Sequence, residues 1–259
     1  MLEKELNVTG GVLIIGSLLW QNNLGRQNNT IRNDWRKQFL DESQKIKVNV
    51  PIRYGRLSGG EVYTMTFSNS CRIRLGSAYL VPFRQNPVKN FAELLTESQE
   101  LSYAEGMDRK FIKSRENIPW SVLGLLFNNG KIALDNKKQM SDWWQQQIQH
   151  DQDYGLFNHK TFKLGSERPS ILQNGQLNFP WINPVDPNAK TELNNYDFLI
   201  ATTTLPNEKK YPTVNKLVTN IHKDQVRKYF IDNHAHGITT FQDQRIIKKL
   251  SQNFTKNIL

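Results

Sequence analysis

Val12 to Ile15 form a short uncharged run that breaks at Gly16-Ser17 and resumes at once as Leu18-Leu19-Trp20. Apolar residues in succession, without polar alternation, are the pattern of a strand covered on both faces. Such a strand sits inside a sheet, so the rest of the chain must supply layers on both sides of it. A Gly-Ser break flanked by apolar residues also keeps the turn close to the core. Two readings of that turn stay open. It is either a tight turn into the next element, or a nest of backbone N–H groups that binds a carboxylate without needing a basic side chain.

The first half of the chain supplies further strands. Ile46, Val48, Val50, Ile52 and Tyr54 alternate with polar residues, interrupted by Pro51 and ended by Gly55. Tyr63, Met65 and Phe67 alternate again, and Ser77 to Phe83 is β-rich. "WSVLGLLF" and "KIAL" on either side of Asn128-Asn129-Gly130 read as a hairpin. Between these strands, "PVKNFAELLTESQELSYAEGM" predicts a helix from after Pro87 to a stop at Gly106, with Phe91, Leu94, Leu95, Leu101 and Ala104 inward and Glu93, Glu97 and Glu100 on the other face.

Beyond residue 140 the chain turns aromatic, amide-rich and proline-punctuated. "YDFLIATTTLP" predicts a strand, "YPTVNKLVTNIHKDQVRKYFIDN" an amphipathic helix and "DQRIIKKLSQNFTKNIL" a second one. The fold class expected is α+β. The expected organisation is a strand-rich domain over residues 1–140, with a helical C-terminal extension, 141–259, packed on it as one compact unit.

Lys and Arg number 34 against 24 Asp and Glu, a formal charge of +10, yet the cations are scattered rather than gathered into runs. A basic surface is expected, and nucleic-acid binding is not, because Trp143-Trp144 and Trp181 lack an interleaved Lys/Arg pattern. One cysteine, Cys71, excludes an intrachain disulfide and fits a reducing compartment. The apolar run at Val12–Trp20 is too short to span a membrane, and two Glu residues precede it, so a cytoplasmic protein without a membrane partner is expected. His234 and His236 could ligate a metal if a third ligand such as Asp232 or Asp243 joined them. The spacing specifies none, and the pair reads instead as a helix cap leading to a turn at Gly237. There is no P-loop, dinucleotide fingerprint or nucleophile elbow.

Glu105 is the residue whose placement carries chemistry. It stands four residues after Leu101 and eleven after Leu94, on or beside the apolar stripe of its helix. A carboxylate facing a core has its charged form disfavoured, which suits a general acid or base working near neutral pH. The alternative is a last-turn Glu that swings out to solvent. "VPIRYGRLS" offers a second cluster, with Arg53, Tyr54 and Arg56 around Gly55, able to clamp an anion or to sit solvated at a hairpin edge.

Taken together, "LIIGSLLW" resembles the glycine-serine-leucine loop after the first strand of the γ-glutamylcyclotransferases, especially their glutathione-degrading branch. "LSYAEGM" resembles their Leu-x-x-x-Glu-Gly-hydrophobic segment, "NDWRKQFL" their basic and aromatic stretch, and "PWSVLGLLFNNGKIAL" their closing strands. The resemblance covers residues 11 to 135. It implies a small, partly open mixed β-barrel with flanking helices, and a γ-glutamyl-type small-molecule substrate whose carboxylate and amine end is held by the loop Ile15, Gly16, Ser17 and Leu18. It further implies Glu105 as the acid/base, release of 5-oxoproline by intramolecular acyl transfer, and no metal or organic cofactor. Where the family has Tyr before Gly-Ser, this chain has Ile15, which has no hydroxyl. Arg53 and Tyr54 are expected to replace that contact. The alternative on the same fold is a non-catalytic module that binds a small anion or a protein partner.

Overall fold

The computed structural model describes residues 5–24, 29–221 and 224–256. The strands are β1 (Gly10–Ile14), β2 (Ile46–Val50), β3 (Ile52–Ser58), β4 (Val62–Phe67), β5 (Gly76–Pro82), β6 (Ile112–Arg115), β7 (Ile118–Phe127), β8 (Asn183–Pro184) and β9 (Phe198–Thr204). The helices are α1 (Ile31–Phe39), α2 (Phe91–Ala104), α3 (Leu134–His150), α4 (Lys190–Leu193), α5 (Val214–Ile221), α6 (Asp224–Ala235) and α7 (Asp243–Lys256). Among the described residues none of these helices is long and apolar enough to cross a membrane.

β1 is buried at every position and lies inside a seven-stranded sheet ordered β6-β7-β9-β1-β5-β2-β8. It pairs antiparallel with β5 and parallel with β9, which makes the sheet mixed. In β2 the alternation is obeyed: Ile46, Val48 and Val50 are buried, and Lys47 and Asn49 are half-buried. Pro51 then separates β2 from β3, where the chain leaves the large sheet for a two-stranded one, β3–β4. That hairpin carries a bulge between Tyr54 and Arg56, at the Gly55 that sequence marks as a strand end.

The structure is α+β with a mixed sheet and flanking helices, as expected, but no closed barrel forms among the described residues. The sheet ends at β6 and β8, and β3–β4 stands as a separate sheet. The second half of the chain also contributes to the large sheet. β9, from the second half, runs between β7 and β1, and its Phe198 to Ala201 are all buried. Residues 1–140 alone would leave β6–β7 detached from the rest of the sheet.

β9 also explains why "KIAL" forms no return strand. One side of β7 is taken by β9 from Ser121 to Phe127; on the other, β6 pairs with Ile118–Val122 through the turn at Glu116-Asn117, both in the left-handed region (φ 51° and 61°), and Gly175 and Leu177 bond to Leu125. The chain after Phe127 therefore turns at Asn128–Gly130 and enters α3. The long amphipathic helix expected from Tyr211 to Asn233 is two helices, α5 and α6. Residues 222–223 between them lie outside the described residues, as do 257–259 of the expected C-terminal helix.

Candidate functional site

At the C-terminal end of β1 the sheet, the β3–β4 hairpin, the last turn of α2 and α6 enclose a cavity of about 340 Å³. Ile15, Gly16, Ser17 and Leu18 line it, and so does Glu105.

Ser17–Leu19 form a single 3-10 turn entered from Gly16. Its bonds run from Leu19 N–H to the Gly16 carbonyl (3.2 Å) and from Trp20 N–H to the Ser17 carbonyl (3.2 Å). Because a helical turn has no partners for its first N–H groups, those of Ser17 and Leu18 donate to no protein group among the described residues. The Gly-Ser break is thus a tight turn beside the cavity, and its Ser17 and Leu18 N–H groups have no protein partner among the described residues. Leu18 and Leu19 bury the turn, and the Trp20 indole N–H donates to Asn233 Oδ1 at 3.0 Å, fastening it to α6.

Two arginines one helical turn apart on α1 brace this loop. Arg36 is buried and donates to the carbonyls of Leu18 (2.6 Å) and Gln21 (2.9 Å). Arg32 donates to Ser17 Oγ (3.0 Å), Gln21 Oε1 (2.9 Å), the Ala104 carbonyl (3.1 Å) and Glu105 Oε2 (3.1 Å). One guanidinium therefore ties the loop to the end of α2.

Glu105 does not fray into solvent. It caps α2, with Gly106 N–H bonded to the Tyr103 carbonyl (3.0 Å) and Met107 N–H to the Ser102 carbonyl (2.8 Å), a Schellman closure over the fully buried Met107. Gly106 takes φ +77°, a left-handed value that costs an L-residue about 1–2 kcal/mol. Gly106→Ala is accordingly expected to lower the unfolding free energy by that amount in chemical denaturation, and to loosen Glu105 with it. Burial raises the Glu105 carboxyl above its ordinary range, and the Arg32 cation pulls it partly back.

The cavity also holds residues that sequence reasoning missed. Tyr229 on α6 lines it, and a Cβ at Gly16 would come within 3.1 Å of the Tyr229 hydroxyl, so glycine there makes room for that oxygen. Burial pushes this phenol up to about 12, so it stays protonated and can donate. Thr202 and Thr204, two apart on β9, share a face toward the cavity; their hydroxyls, like the indole N–H of Trp120, are buried without a partner in the protein. A period-two pair of threonines in "ATTTL" is the signal sequence could have offered. Tyr229 and Arg32 had none, because only the fold brings them here.

Arg53 and Tyr54 do not enter this cavity, and the expected replacement for the missing hydroxyl at Ile15 is corrected accordingly. The alternation of β3 sends Tyr54 into the core, 2% exposed beside Phe230 and Asp243, whose carboxyl burial pushes up to about 6. Arg53 points the other way, stacks on Tyr211 at 3.9 Å and donates to Ser70 Oγ at 3.0 Å. The bulge at Gly55 turns Arg56 into the cavity instead.

A second expectation also changes. Glu97 is not on a solvated face: it is 7% exposed, its Oε2 has no partner, and burial reinforced by Glu100 and Glu93 raises its carboxyl to about 8. His234 and His236 lie at the end of α6, where His236 Nδ1 sits 2.7 Å from the Asp232 carbonyl. No group of three His, Cys, Asp or Glu able to hold a metal occurs among the described residues.

Comparison of the chain with protein-family models, with curated proteins and with solved structures gives no match.

Proposed function

We propose that this cavity is the active site of a γ-glutamylcyclotransferase-like enzyme, acting on a small γ-glutamyl-type substrate in the cytoplasm. The observation that carries the reading is the convergence of Glu105, raised in pKa, with the Ser17–Leu18 amides in one cavity, although α1, the strands β2–β5 and α2 separate them in sequence. In this reading the amides receive the substrate's α-carboxylate, and Glu105 accepts a proton from its α-amine. The amine nitrogen attacks the γ-carbonyl carbon, the amide C–N bond breaks, and Glu105 returns the proton to the leaving nitrogen. The products are 5-oxoproline and a free amine, and no water is consumed. Tyr229 is a donor for the oxyanion that develops on the γ-carbonyl, and holding amine and carbonyl together supplies much of the rate.

The test is amine release from a panel of γ-glutamyl amines and peptides by the wild-type protein. Turnover of at least one member is expected; none across the panel contradicts the reading.

The Arg32–Glu105 pair favours a second reading, a non-catalytic module that binds a small anion, since an ion-paired carboxylate is a poorer base. The pH dependence separates the two. The base must be deprotonated, burial raises its pKa and Arg32 lowers it, so Arg32→Gln is expected to move the acid limb of kcat/KM to higher pH. An acid limb that stays in place in that variant removes Glu105 as the titrating group.

A further inference from the structure

Arg56 and Arg115 line the same cavity, approaching it from β3 and β6. Both guanidiniums lie against the ring of Trp120, at 5.6 Å and 4.8 Å from its centroid. Neither takes part in a salt bridge among the described residues. Arg56 donates to the Leu205 carbonyl at 2.8 Å, a neutral acceptor, and Arg115 is exposed at the hairpin end. Burial and the Arg115 cation both work against the charge on Arg56, so the two are close enough to repel. A cation over an aromatic face recovers about 0.5–1 kcal/mol, which does not neutralise two like charges. Next to them, Thr204 pairs with Ser121, the neighbour of Trp120, and both the Thr204 hydroxyl and the Trp120 N–H are buried and unpartnered. Two cations without an anionic protein partner among the described residues and two orphaned polar groups thus lie together in the cavity that also holds the loop and the Glu105–Arg32 pair.

We propose that Arg56, Arg115 and Trp120 form a subsite for a group with two negative charges on the leaving side of the substrate. This rests on the γ-glutamyl reading for the other end of the molecule. One carboxylate would leave a cation unmatched; two carboxylates or a phosphate monoester match the pair, and guanidinium forks suit either. The enzyme therefore selects γ-glutamyl conjugates of doubly acidic amines over those of neutral ones.

The experiment is calorimetric titration of Glu105→Gln protein, in which turnover is slowed, with γ-glutamyl methylamide, γ-glutamylglutamate and γ-glutamylphosphoethanolamine. At least one doubly charged probe is expected to bind about 10-fold or more tightly than the methylamide, and which one does so identifies carboxylates or phosphate as the source. Arg115→Gln, at an exposed site where folding is not at stake, is expected to erase that preference. Equal affinities, or a preference that survives Arg115→Gln, overturn the subsite.

Inorganic pyrophosphate, titrated into wild-type protein and Arg115→Gln, reads the arginine pair alone. Binding that weakens about 10-fold in the variant, with no γ-glutamyl compound bound, keeps the anion subsite and removes the γ-glutamyl reading. Turnover of γ-glutamyl compounds without any charge preference does the reverse. Failure of pyrophosphate and of every doubly charged probe to bind removes the subsite.

Discussion

Glu105→Gln is expected to lower kcat by about 10²–10⁴-fold, the usual contribution of a positioned acid/base, with KM changed far less. Gln keeps the volume of Glu, and its amide oxygen can still accept from the Arg32 guanidinium that now bonds Glu105 at 3.1 Å. The loop stays tied to α2, so the cavity and the amides proposed to receive the substrate persist. What disappears is the group that, in the proposed reaction, takes the α-amine proton and returns it to the leaving nitrogen. Steady-state kinetics on the best γ-glutamyl substrate separates the roles. A change confined to KM would make Glu105 a binding residue and return the site to the anion-binding reading.

Glu97→Gln is expected to stabilise the protein, and to do so in alkaline rather than acidic solution. The buried carboxyl holds its proton up to about pH 8 when folded, against an ordinary value of 4.5. Between those two pH values the folded chain carries a proton that the unfolded chain has lost, so stability falls as pH rises through this window. At about 1.4 kcal/mol per pKa unit, the loss by pH 8 is roughly 3–5 kcal/mol. Gln is nearly isosteric with the protonated acid and has no proton to lose. Thermal melts of the two proteins should therefore coincide near pH 4.5 and separate by several degrees or more at pH 8.5, the variant melting higher. Parallel melting at both pH values would mean that Glu97 titrates normally and reaches solvent.

The signal for Glu97 was in the sequence. It stands three residues after Leu94 and four before Leu101, the spacing of one helix face, and all three are buried in the fold. The same arithmetic singled out Glu105, which the structure places at the C-cap of α2 on the cavity. Local patterns of this kind also outlined β1, β2, β4, β5 and α2, because each depends on neighbours a few residues away. The missing pieces are those in which distant segments meet. β9 displaces the expected return strand after Phe127, and it comes from residues 198–204, beyond the stretch that the γ-glutamylcyclotransferase resemblance spans. Arg32 and Glu105 meet across 73 residues, and Tyr229 comes to Gly16 from α6, to which Trp20 is fastened through Asn233. The turn was legible as a candidate anion nest; its hydroxyl partner was sought in β3, where a one-residue bulge sends Arg56 rather than Arg53 or Tyr54 toward the cavity.

The central claim is that the substrate's own amine, deprotonated by Glu105, attacks its γ-carbonyl in this cavity. Product identity tests it most directly. Wild-type protein is incubated with its best γ-glutamyl substrate, and 5-oxoproline, glutamate and released amine are quantified together. Cyclisation predicts one 5-oxoproline for each amine released and no glutamate. Glutamate in place of 5-oxoproline would show that water is the nucleophile and would contradict the account.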